Sequence, residues 1–101
     1  MAIANPTMHA CAGADGLARL VRDVRSGRAK WAHPQQVRQS TDELARAAEA
    51  IAAAVGEMTA ALAQLEQPGP QAQQANTALH QAVQGATTAA AQLRAARRFM
   101  H

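Results

Sequence analysis

LEQPGPQAQQ, residues 65–74, decides how this chain folds. It lies between two long stretches rich in alanine and glutamine. Pro68-Gly69-Pro70 is either a linker between separate helices or the tight end of a hairpin. Proline on both sides of glycine stops either helix from running through. The flanking residues decide for the hairpin.

Upstream, Val37, Thr41, Leu44, Ala48, Ile51, Val55, Met58, Leu62 and Leu65 recur at alternating steps of four and three. That is the heptad signature of helix-on-helix packing. Downstream, Leu79, Leu93 and Met100 fall on one seven-residue period, with Ala72, Ala75, Ala82, Ala86, Ala89 and Ala96 filling the seam. A tight turn sets residue i against roughly residue 137 − i. Leu65 then meets Ala72, Met58 meets Leu79, Ile51 meets Ala86, Leu44 meets Leu93 and Val37 meets Met100. Large residues mostly face small ones, which lets helices approach with few voids. Leu79, Leu93 and Met100 carry this register, because alanine fits many seams.

The expected fold is therefore all-α. Two long helices, about 34–66 and 71–98, form an antiparallel hairpin that can assemble further into a bundle. A short helix over about 16–26, capped by Asp15, precedes them, with Leu17, Leu20, Val21 and Val24 on one face. Residues 1–14 read as a flexible tail, and 15–101 as a single helical domain. The second helix has two start signals. One is Pro34, and the other is the capping-box spacing of Ser40 and Glu43.

Composition agrees. Of 101 residues, 28 are alanine, the best helix former, whereas Leu, Ile, Val and Phe number 15. So thin an apolar seam barely offsets chain entropy, and the remaining apolar surface calls for a cover. The first helix, docking near Val83 and Ala90, is an internal candidate. Self-association or a partner helix is the external one.

Charge is uneven. Arg28, Lys30, Arg38, Arg94, Arg97 and Arg98 are expected to gather at the end of the hairpin away from the turn. There they offer a site for nucleic acid, anionic lipid or an acidic protein. The simpler reading is that Arg94, Arg97 and Arg98 complement a helix dipole. No recognition helix, zinc motif or aromatic platform accompanies them. Trp31 either anchors a partner or covers the open end of a small core, and the second reading is favoured.

Nothing points to catalysis. His9, His33, His80 and His101 lack ligand spacing, and Cys11 is the only cysteine. No nucleophile motif or phosphate-cradling loop is present, so no metal, cofactor or small-molecule substrate is implied. His80 falls near Glu57 in the expected hairpin and reads as a surface pair. Gly56 and Gly85 fall close across it, where they would permit close approach. The chain shows no signal-peptide pattern and no membrane span, and the first helix is a weak membrane anchor. A cytoplasmic location is expected, with signal-peptide-independent secretion left open. Nine arginines against one lysine suggest a GC-rich bacterial source.

Length, Ala/Gln richness and the helical hairpin resemble the small secreted WXG-type proteins of the type VII pathway. The resemblance is architectural. The turn here is Pro68-Gly69-Pro70, Trp31 is followed by Ala32-His33, and there is no tyrosine for that group's tail signal, so no residue is carried across. The leading expectation is a non-enzymatic helical interaction protein, acting by self-association or by packing on a partner's helices. An accessory nucleic-acid binder and a secreted helical hairpin are the alternatives.

Overall fold

The computed structural model describes residues 4–65 and 69–100. All regular structure among them is helical: α1 (Thr7–Ser26), α2 (Pro34–Leu65) and α3 (Pro70–Arg98). The chain forms two compact units, dividing between Ala32 and His33.

The first unit is α1 and the turn that follows it. The helix begins at Thr7, well before the expected start near 16, so residues 7–14 are helix and not tail. Asp15 is not its cap. The start is set by Pro6, and Asn5 Oδ1 accepts the Thr7 N–H at 3.0 Å. Asp15 lies inside the helix, where its Oδ2 is 3.6 Å from Cys11 Sγ. At the other end Gly27 takes the left-handed conformation, φ 83°, and its N–H bonds to Val24 O. That φ suits glycine, which has no Cβ to clash. The chain then turns back, with the Ala29 N–H on Asp23 O at 3.0 Å.

The second unit is the hairpin, α2 packed along α3. The start of α2 is Pro34, with Gln36 N–H bonding to His33 O, so the Ser40–Glu43 signal lies inside the helix. There Glu43 pairs with Arg46 at 2.8 Å. At the turn, Glu66, Gln67 and Pro68 lie outside the described residues. Gly69 is extended, φ 178°, and Pro70 opens α3 in the first turn, where its missing N–H costs nothing.

The register differs from the expected one. Thr41 Oγ1 lies 3.6 Å from Met100 Sδ, Arg94 bonds to Glu49 and Arg97 to Asp42. These residue numbers total 141, 143 and 139, against the 137 expected for a tight turn. The helices are offset by about one turn. Met100 therefore meets Thr41, not Val37.

The seam is also rotated on both helices. In α2, Thr41, Ala45 and Ala48 are buried and Ala52, Val55, Thr59 and Leu62 half-buried. In α3, Ala90 is buried and Leu79, Val83, Ala86, Leu93 and Arg97 half-buried, as is Met100 just beyond the helix. Alanine lines the tightest part, and Ala45 is fully buried. Threonine fits there because its hydroxyl bonds to its own helix. Thr41 Oγ1 donates to Val37 O at 2.8 Å and Thr59 Oγ1 to Val55 O at 2.9 Å.

Two expectations follow. Ala45→Leu should destabilise the hairpin by about 1–3 kcal/mol through overpacking, while Ala53→Leu on the exposed side stays within about 0.5 kcal/mol; urea unfolding followed by circular dichroism measures both. At Gly56 a Cβ would meet nothing within 4 Å. This glycine therefore serves no close approach, and Gly56→Ala should stabilise the helix by about 1 kcal/mol in the same assay.

Candidate functional site

The seam occupies only one flank of α2. Stepping by seven along the adjacent flank gives Val37, Leu44, Ile51, Met58 and Leu65. Val37, Ile51, Met58 and Leu65 are 39%, 47%, 55% and 84% exposed, and Leu44 is half-buried. Between them, on the same side, fall Ser40, Ala47, Ala54 and Ala61. The flank runs nine positions without a charge. Five of the expected seam residues thus stand beside the seam, whereas Val55, Leu62, Leu79, Leu93 and Met100 line it.

On α3 the flank facing the same way follows from helical geometry. Ala75, Ala82, Ala89 and Ala96 sit three residues after the seam positions Ala72, Leu79, Ala86 and Leu93. Outside them come Ala78, Gly85, Gln92 and the C-cap Phe99, which is 82% exposed. In an antiparallel pair these two flanks lie on one side of the hairpin. That side is a ridge of large residues from α2 beside a shelf of small ones from α3.

The opposite side is polar and carries the cross-helix ion pairs. Arg94 Nε donates to Glu49 Oε1 at 2.6 Å, and Arg97 Nε to Asp42 Oδ2 at 3.2 Å. Both pairs are partly exposed, so they contribute little to stability, but they fix geometry. The Arg94 guanidinium holds the Glu49 carboxyl below its ordinary value, through the hydrogen bond first and its charge second. The carboxylate in turn raises the pKa of Arg94.

This placement bears on the expected basic end. Arg28 and Lys30 belong to the first unit and Arg38, Arg94, Arg97 and Arg98 to the hairpin. Within the hairpin Arg94 and Arg97 are neutralised locally by Glu49 and Asp42. Trp31 lines a shallow cleft of about 210 Å³ in the first unit with Leu20, Asp23, Val24, Ala29 and Lys30. Leu20 and Val24 in this lining are half-buried.

His80 Nδ1 is 3.1 Å from Asn76 O one turn earlier, a hydrogen bond in the Nδ1–H tautomer. Among the described residues no three His, Cys, Asp or Glu side chains are grouped to hold a metal ion. None of the described helices is long and apolar enough to cross a membrane.

The sequence signal for the apolar flank was present. A helix with one neighbour needs one charge-free stripe, whereas α2 has two side by side. Comparison with protein-family models, curated proteins and solved structures finds no match to this chain.

The Glu49 pair makes an acid-dependence testable. A depressed folded-state pKa adds stability above the ordinary value of 4.5, and that stability is lost as pH falls through the lowered value. Thermal melts of the parent and Glu49→Gln should differ above 4.5, with the parent more stable, and converge at lower pH.

Proposed function

We propose that this chain is a non-enzymatic helical interaction protein, working through self-association or by packing a partner helix on the open side of its hairpin. The observation that carries this reading is the exposed heptad stripe Val37, Leu44, Ile51, Met58 and Leu65. Scattered exposed apolar residues need no explanation, but a continuous patch on one face marks an interaction surface. Knobs repeated every seven residues suit another helix, whose own knobs share that period. A ridge with no convergent polar groups has little to offer a small polar ligand. Nucleic-acid binding has less support, because Arg94 and Arg97 each engage an acid of α2.

Sedimentation equilibrium of the parent and of Ile51→Glu/Met58→Glu tests the reading. Removing two large apolar contacts should weaken association roughly a hundredfold or more. Circular dichroism should show the hairpin retained, because both positions lie outside the seam. A parent that stays monomeric, and that captures no protein from its source lysate lost with the double variant, ends the proposal.

A further inference from the structure

We propose that the open side of the hairpin is covered by the same side of a second copy, about a twofold axis running along the helices. In this arrangement α2 of each copy lies on α3 of the other, giving a four-helix bundle. The inference rests on the interaction reading above and names its partner.

Register favours this arrangement. Rotation about an axis parallel to the helices leaves every residue at its own height. A residue of α2 therefore meets the α3 residue of the second copy that stands level with it in its own hairpin. The cross-helix contacts of Thr41 with Met100, Glu49 with Arg94 and Asp42 with Arg97 put level residues at totals near 141. Leu65 is then level with Ala75, Met58 with Ala82, Ile51 with Ala89 and Leu44 with Ala96, each totalling 140. Leu44, Ile51, Met58 and Leu65 each land on an alanine of the shelf, and Val37 lies beyond the end of the second copy's α3. The symmetry leaves no sliding freedom between the copies, and the match falls within the 139–143 range of the contacts. Between these layers Ala54 meets Gly85 and Ala61 meets Ala78, which lets the helices approach closely. Phe99 is level with Ser40 at one end and is covered there.

Charge favours the same arrangement. Along the outer edge of the open side, Glu43 and Glu57 of α2 come beside Ala95 and Gln81 of the second copy's α3, with no like charge opposed. The alternative twofold axis runs across the helices and stacks α2 on α2. Centred on Ile51, it would bring Glu43 near Glu57 of the other copy and set the two ridges against each other.

The area suffices. The overlap from Ser40 to Leu65 spans about 38 Å at 1.5 Å per residue. Two helices side by side are about 20 Å wide, so each copy offers roughly 800 Å², the amount each partner contributes to a standard stable interface.

The test uses the full chain in a Cys11→Ser background. Ile51→Cys and Ala89→Cys single variants are mixed, allowed to exchange and oxidised. The expected product is a 51–89 disulfide between copies. Ile51→Cys alone should give none, because α2 and its symmetry mate sit on the diagonal, roughly 14 Å apart. Sedimentation supplies a second readout. Gly85 and Gly56 both have open space at Cβ within one hairpin, so a side chain can start at either without a clash there, and circular dichroism checks that both variants keep their helix. Gly85→Leu should reduce the mass from twice 10.6 kDa to 10.6 kDa, and Gly56→Leu, on the polar side, should leave the dimer intact. A 51–51 disulfide, or a dimer indifferent to Gly85→Leu, overturns this arrangement while leaving association standing. A monomeric parent that takes up a partner helix through the stripe overturns the second copy as occupant and keeps the interaction reading. A monomer with neither behaviour overturns both.

Discussion

Close approach between two alanine-lined helices is the constraint on which the rest of this molecule depends. Ala45, Ala48 and Ala90 leave room for little but backbone at the tightest part of the seam. Their small side chains let α2 and α3 come together and bury little apolar area in doing so. The large residues of α2 are divided between the seam and its margin. Val55 and Leu62 fill the wider parts, while Ile51, Met58 and Leu65 are left beside it. The exposed ridge and the thin seam are thus two results of one arrangement.

The hairpin was legible because two strong signals coincide. Pro68-Gly69-Pro70 breaks the helix, and heptad periodicity runs on both sides of the break. The start of α2 was half legible, because Pro34 and the Ser40–Glu43 box compete and only tertiary packing chooses. The start of α1 was not, since the glycines at 13 and 16 weaken a helix signal that the observed helix overrides. The register was missed for a physical reason. Alanine accepts an alanine partner at any height, so only a few larger residues distinguish one offset from another. Arginines that read as a basic cluster supplied the missing information, because Arg94 and Arg97 find Glu49 and Asp42 at one offset.

The candidate site was legible as residues but not as a surface. Val37, Leu44, Ile51, Met58 and Leu65 carry the periodicity of a seam and stand next to it. Periodicity finds apolar stripes, but it does not say which of two neighbouring stripes faces the partner within the chain. Burial makes that choice, and here the smaller residues won the inner place.

Asp42 and Glu49 stand seven residues apart, while their partners Arg94 and Arg97 stand three apart. A slide of one heptad along the hairpin would carry Arg94 toward Asp42 and strip Arg97 of its carboxylate. The unequal spacing works like a key with two teeth at different intervals, which seats in a single notch. Dispersion forces along the alanine track are nearly indifferent to translation, so that small mismatch of intervals sets where the two rods come to rest.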